Sequence, residues 1–337
     1  MAESVTVRDI LEALDWITGG RVVKGPGDLG GQNPFVLTKS SGIPGKSVTE
    51  TPGLVWGDPS ARVRRAAVLM TLTESAIELA AATGVECLVA HHPIADGANS
   101  GGVTLKNYLG LYGLHALELH EAFHGLHPGI PWLHGHRALE VDIRAGGIHG
   151  NILYYGEALP EVRTLGNLLD RLESLMDLKT EREALEQERR LRNCPDLLET
   201  CVSTRGHILL GTPESPVRRL LHIFPHTGFT PEHLEAAKAA HPDADTVLAT
   251  ISRVYPGNPL IDKARELGMN FLCGNSHALE ILENGIPLAR ALATRLPGLE
   301  VRVFRERVTS YPLDEVGSGT IRDYGRDMAS RYLPGTR

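Results

Sequence analysis

The chain has 337 residues, 42% of them hydrophobic and 22% charged, with a formal net charge of −7. That length allows two domains or one large one, with enough apolar residues for a sizeable core. There is no basic stripe interleaved with aromatics, which disfavours nucleic-acid binding, and no stretch approaches the roughly 18–20 apolar residues of a membrane span.

The N-terminus, MAESVTVRDILEALDW, carries acidic residues where a secretory signal needs a basic start and an apolar centre, so a cytoplasmic protein is expected. Cys87, Cys194, Cys201 and Cys273 form no CxxC pair and are expected as free thiols, with Cys87 and Cys273 in the core. Histidine is the unusual residue: of 15 copies, nine lie between His91 and His149. It is the commonest protein metal ligand and titrates near neutral pH.

In chain order, residues 5–18 read as an amphipathic helix, with Ile10, Leu11, Leu14 and Ile17 at helical spacing. Residues 19–53 are rich in Gly, Pro, Ser and Thr and read as irregular, and GLVWGDP (53–59) reads as a short strand running into a turn. Then AAVLMTL (66–72) predicts a buried strand, Thr73 an N-cap, and ESAIELAAATG a helix ending at Gly84. VECLVA (85–90) predicts a second strand running into His91-His92-Pro93. After the loop ADGANSGG, residues 104–112 predict a helix, and LHALEL (114–119) a third strand running into His120-Glu-Ala-Phe-His124.

The same order recurs. RLLHIF (219–224) is a strand, Thr230-Pro231 starts a helix, ADTVLAT (244–250) is a strand, NPLIDKARELG (258–268) a helix, and MNFLC (269–273) a strand that runs into Gly-Asn-Ser-His277-Ala-Leu-Glu280. This is an internal structural repeat. Between the copies, 159–192 reads as helical, with a solvated charge run and capping-box spacing between Thr180 and Glu183. ILENGIPLARALATRL reads as a further helix and LEVRVF as a strand, and the tail beyond about residue 318 is polar. The expected division is a first α/β half at 1–155, a helical insertion at 156–215, a second α/β half at 216–310 and a C-terminal tail at 311–337.

Alternating strands and helices predict α/β halves with mostly parallel sheets flanked by helices, in which ligands bind beyond the carboxyl ends of the strands. Three polar clusters leave such ends. His91 and His92 can share a site where Pro93 turns the chain. His120 and His124 share a face if the chain turns helical, as do His277 and Glu280. This mix of imidazoles and a carboxylate suits zinc, iron, nickel or manganese, one or two ions per chain, better than magnesium or calcium. His127, His134, His136 and His149 have spacings that name no chemistry and read as loop histidines. There is no GxxxxGK[ST], GxSxG or HExxH motif.

The order of motifs resembles the Nif-three-like dinuclear metal centre family, some members of which are named GTP cyclohydrolase type 2. The similarity runs from the first helix to about residue 305 and is carried by GLVWGDP (53–59), LVAHHPI (88–94), LHALELHEAFH and GNSHALEILENGIPLARALA. It implies two related α/β halves, a ring-shaped homohexamer, and metal ligation by the His-His pair, an Asp, a late His and a late Glu. By position His91, His92 and Glu280 match. His124 stands where the family has Asp, Ser276 stands at the late His with His277 one position away, and Thr51-Pro52 stands where the family has Asp-Asn.

Together these readings give an expected ligand set of His91, His92, His124, His277 and Glu280, with His120 and Glu280 as catalytic groups. The expected function is a metal-dependent hydrolase of a nucleotide-like or other small polar substrate. A non-catalytic, ring-forming metal scaffold and an iron- or copper-dependent redox enzyme are the alternatives.

Overall fold

Runs such as AAVL and CLVA are apolar at every position, so they are stable only where both faces are covered. The computed structural model, which describes residues 4–25, 33–40, 44–45, 47–94, 105–120, 123, 129–148, 150–251 and 254–332, places both runs in the middle of a sheet. The expected loop ADGANSGG, His124, His127 and His149 lie outside the described residues.

The strands are β1 (Leu37–Ser40), β2 (Ser47–Glu50), β3 (Gly53–Trp56), β4 (Arg65–Leu69), β5 (Cys87–Ala90), β6 (His115–Glu118), β7 (His136–Asp142), β8 (Ile152–Ala158), β9 (Leu198–Glu199), β10 (His207–Leu210), β11 (Arg219–Phe224), β12 (Thr246–Ile251), β13 (Asn270–Ser276), β14 (Glu300–Val303) and β15 (Thr309–Ser310). The principal helices are α1 (Val7–Ile17), α2 (Glu74–Thr83), α3 (Leu105–Leu111), α4 (Gly129–Leu133), α5 (Leu165–Leu175), α6 (Leu178–Arg192), α7 (Pro231–Ala240), α8 (Pro259–Glu266), α9 (His277–Glu280), α10 (Ile286–Arg295) and α11 (Gly319–Tyr332).

Two sheets carry the fold. One has the order β14-β4-β5-β6-β3, the other β10-β13-β12-β11-β8-β7. The expected repeat is present. β4-α2-β5-α3-β6 and β11-α7-β12-α8-β13 each lay three parallel strands side by side, and each ends on an antiparallel edge strand, β3 beside β6 and β10 beside β13. Sheet membership departs from halves that follow sequence order. β7 and most of β8 precede residue 156 yet extend the second sheet through antiparallel pairing with β11, and β14 pairs parallel to β4 in the first. The exchange is a packing effect, because α10 covers the first sheet and delivers β14 to its edge.

Both sheets are covered on both faces. In the first, Val68, Val89 and Leu117 pack with Ile10, Leu14, Leu288 and Leu292 of α1 and α10. Leu69, Leu88 and Ala116 pack on the other side with Ile77 and Leu109. In the second, Ile223, Val247 and Phe271 meet Leu234 and Leu260, and Leu220, Leu248 and Leu272 meet Leu165 and Leu168. Capping follows the sequence: Thr73 accepts from the Ala76 N–H, Gly84 ends α2 at φ 68, and Thr230 caps α7 with Pro231 at its first turn.

Other local expectations are corrected. The 19–53 region contains the antiparallel pair β1-β2. α6 starts before Thr180, whose hydroxyl instead donates to Asp177 Oδ1 at 2.8 Å. The polar tail forms α11. His134 and His136 are fully buried rather than loop histidines, because they follow α4 into β7 against the second sheet. All four cysteines are free and buried.

His136 Nε2 and His222 Nδ1 share a hydrogen bond at 2.9 Å, and His222 Nε2 bonds Thr250 Oγ1 at 2.7 Å. Burial lowers the His136 pKa from 6.5 to about 3 and holds His222 well below its ordinary value. In the unfolded chain both rings take up protons near pH 6.5, so the folded form loses stability as pH falls below that value toward the folded pKa. At pH 5 the His136 ring costs about 2 kcal/mol. Thermal melts between pH 7.5 and 5 should show His136→Gln shallowing the decline by that amount, and an unchanged slope contradicts the assignment.

Candidate metal centre

β4, β5 and β6 are parallel, so the chain leaves all three at one edge of the first sheet. The ladder continues past the strands: the His91 N–H donates to the Leu69 carbonyl, the His92 N–H to Met70 and the Leu119 N–H to Ala90, at 2.9, 2.8 and 2.9 Å. This holds the His-His pair against the start of the turn after β6. From the second sheet, β13 runs directly into a helical run over 277–295, comprising α9, a π-helical segment Ile281–Gly285 and α10. Leu279 packs with Met176, Leu178 and Cys201, whereas Ile281 and Leu288 pack in the first-sheet core. The run therefore bridges the two sheets, and Glu280 sits at the crossing.

The Glu280 carboxylate is the meeting point. Oε1 lies 3.2 Å from His91 Nε2 and accepts from Asn284 Nδ2 at 3.0 Å. Oε2 lies 3.0 Å from His92 Nε2 and 3.9 Å from His277 Nε2. Donor atoms of His92, His277 and Glu280 all fall within 4.8 Å of one another. The rings of His91 and His120 are 5.1 Å apart, those of His92 and His120 5.9 Å, and those of His92 and His277 5.4 Å. His91 and Glu280 are buried, while the His277 side chain is 57% exposed, so the cluster opens on one side.

Protons decide what this cluster can hold. His91 Nδ1 faces the Leu119 carbonyl at 3.0 Å, which can only accept, so Nδ1 carries the proton. The Nε2 of a neutral ring then points a lone pair at a carboxylate oxygen. That contact is repulsive unless the ring is charged or a cation lies between the two atoms. Ligands bonded at about 2.0–2.2 Å around a tetrahedral ion sit about 3.3–3.6 Å apart, close to the separations seen here. Burial by itself would raise the Glu280 pKa; were the His91 and His92 rings charged, their hydrogen bonds and positive charge would hold it well below the usual carboxylate range, and a cation between the atoms would act in the same sense. A buried anion facing imidazole nitrogens is a donor set that fits a divalent transition metal.

The imidazoles of His91, His92 and His120 are held from behind, as metal ligands commonly are. His92 Nδ1 and Thr71 Oγ1 are 2.9 Å apart. His120 Nδ1 donates to Glu50 Oε2 at 3.1 Å, which orients the ring. Glu118 is buried at the end of β6, where Oε1 accepts from the Thr51 N–H at 2.6 Å and Oε2 from the Ile94 N–H at 2.8 Å. It ties the segment after His-His-Pro to the segment before β3.

The structure thus gathers His91, His92, His120, His277 and Glu280. Ser276, the other occupant considered for the late His position, hydrogen-bonds Thr204 Oγ1 at 2.6 Å and belongs to a different contact. Sequence reasoning missed Glu50, Thr71, Glu118 and Asn284. Glu118 and Asn284 left a signal, a carboxylate closing an apolar strand and an amide four residues after Glu280. Glu50 left none, since its approach depends on the β1-β2 pair.

Residues 41–100 match the Duf34/NIF3 (NGG1p interacting factor 3) family. No curated protein matches the sequence. In fold the chain is similar to reduced HcgD from Methanocaldococcus jannaschii, with a TM-score of 0.56 and 14% identity over 90% of this chain and 99% of that one. It is also similar to a Bacillus cereus protein related to NIF3, with a TM-score of 0.55 and 11% identity over 90% and 97% of the two chains. A Staphylococcus aureus hypothetical protein gives a TM-score of 0.53 and 13% identity over 90% and 97%. At these identities the likeness speaks for the fold. The chain has the mixed α/β fold of NIF3-related proteins, and the family resemblance read from the sequence holds.

Glu118→Gln should destabilise the protein by roughly 1–3 kcal/mol, because the new amide NH2 must face a backbone N–H. Urea denaturation checks this. A loss below about 0.5 kcal/mol, the range of an inert surface change, removes the clasp role.

Proposed function

We propose that the chain is a metal-dependent hydrolase of a nucleotide-like or other small polar substrate, working at the junction of the two sheets. The observation that carries the reading is the His91 Nε2 lone pair held 3.2 Å from the buried Glu280 carboxylate, beside a half-exposed His277. His91, His92, His277 and Glu280 would hold zinc, iron, nickel or manganese. His124, the remaining expected ligand, lies outside the described residues. The ion would supply a Lewis acid that acidifies a water for attack.

The protein's own groups do the rest. Glu280 supplies negative charge, and Asn284 fixes its Oε1. Thr71 orients His92. His120, oriented by Glu50, is the proton-transfer group: its Nδ1–H is committed, so Nε2 takes and returns the proton. The exposed side of His277 is the entry for substrate, and Glu118 holds Ile94, the residue after His-His-Pro. A ring-shaped homohexamer in the cytoplasm is the assembly that the family resemblance supports.

Elemental analysis of protein purified without added metal should find one or two transition-metal ions per chain, reduced by Glu280→Gln. Less than about 0.1 ion per chain, with no gain on reconstitution, overturns the reading. Against a panel of nucleoside phosphates, His120→Gln should lower kcat by about 10²–10⁴ while metal content is unchanged. Full metal loading with no turnover of any member of the panel favours the non-catalytic scaffold instead.

A further inference from the structure

The helical run that presents Glu280 to the first sheet also presents a second carboxylate in another direction. Glu283, in the π-helical segment, is fully buried, and Oε1 accepts from Asn275 Nδ2 at 2.7 Å. His134 Nε2 lies 3.5 Å from the same Oε1. The geometry repeats that of His91 and Glu280. His134 Nδ1 faces the Ile130 carbonyl at 2.9 Å, so Nδ1 carries the proton and Nε2 offers a lone pair to a carboxylate.

Three buried polar atoms here lack a hydrogen-bond partner: His134 Nε2, Glu283 Oε2 and Asn275 Oδ1. Such atoms are rare in folded proteins and call for a ligand. The backbone beside them is closely packed. Gly274 lies next to Asn275, and a Cβ there would stand 3.4 Å from His134 Nε2 and 2.4 Å from Thr250 Cγ2. The His134 ring in turn stands against His222, with centroids 4.8 Å apart, and His222 is held by His136 and Thr250. A backed imidazole, a carboxylate and an amide oxygen, with an ordered shell behind them, form a nitrogen–oxygen donor set.

We propose a second, internal metal site, in which His134 Nε2, the Glu283 carboxylate and Asn275 Oδ1 hold a divalent first-row transition ion. The Asn275 amide turns over to bring its oxygen to the ion. The ion has three protein donors, a water would complete its coordination, and its role is structural: it ties α4 and β13 to the bridging run. This site shares no ligand with the proposed catalytic centre and does not depend on it.

The test is a crystal structure of the full chain from zinc-supplemented cells, with anomalous data at the zinc edge, together with zinc stoichiometry of the wild type, Glu283→Gln and Glu280→Gln. Gln at 283 matches the neutral acid in shape and keeps the fold. The proposal expects an anomalous peak about 2.0–2.2 Å from His134 Nε2 in the wild type and in Glu280→Gln. It also expects loss of that peak and of one zinc per chain in Glu283→Gln. Absence of the peak in the wild type, which would mean a proton or water shared between His134 and Glu283, overturns it without recourse to any variant. A peak that survives Glu283→Gln overturns the ligand assignment. A wild-type peak at His134 with none beside His92 and Glu280 sinks the catalytic reading and leaves this one standing, whereas zinc lost from Glu280→Gln but not from Glu283→Gln overturns this one.

Discussion

The burial of one carboxylate, Glu280, against imidazoles from a different sheet is the constraint on which the rest of the molecule turns. Taking a carboxylate out of water costs several kcal/mol, and the cost is met only if positive charge and hydrogen-bond donors face it closely. Here the partners come from the ends of parallel strands in the first sheet, whereas Glu280 arrives from the last strand of the second. The two repeats must therefore dock in one orientation for the charge to be satisfied. The crossing of β14 into the first sheet, on the far end of the same helical run, fixes that orientation from the other side.

Chemistry follows from the proton count. His91 has its proton committed to a backbone carbonyl, so the cluster is complete only with a positive charge between ring and carboxylate. A metal ion would supply that charge without competing for the proton. The same arrangement recurs about one helical turn further on, at Glu283 and His134. The π-helical segment between Glu280 and α10 has a local role in this: such segments are rare and frequent at functional sites, and this one carries Glu283, Asn275's partner, and Asn284, Glu280's partner.

Much of the scaffold was legible because its signals are local. Uniform apolar runs gave the central strands, and Thr73, Gly84 and Thr230-Pro231 gave helix ends, all of which depend on a few neighbouring residues. The location of His91, His92, His277 and Glu280 at strand ends followed from β/α alternation. What sequence reasoning could not reach depends on packing between distant segments. β7 and β8 lie early in the chain but pair with β11, because antiparallel pairing leaves no mark in a single strand's composition. His134 and His136 looked like loop histidines because a buried imidazole and an exposed one have the same sequence signature. Glu50 and Glu118 became visible only when residues 67–70 positions away were brought beside them.

The central claim is that an ion sits between the imidazoles of the first sheet and the carboxylate carried by the bridging helix. Anomalous scattering from crystals of the protein as purified, collected on both sides of the absorption edge of its bound metal, tests it directly. The account predicts a peak within bonding distance, about 2.0–2.2 Å, of His92 Nε2 and a Glu280 oxygen. Featureless maps at that position, with His91 and Glu280 still in direct contact, would show a charged histidine–carboxylate pair and contradict it.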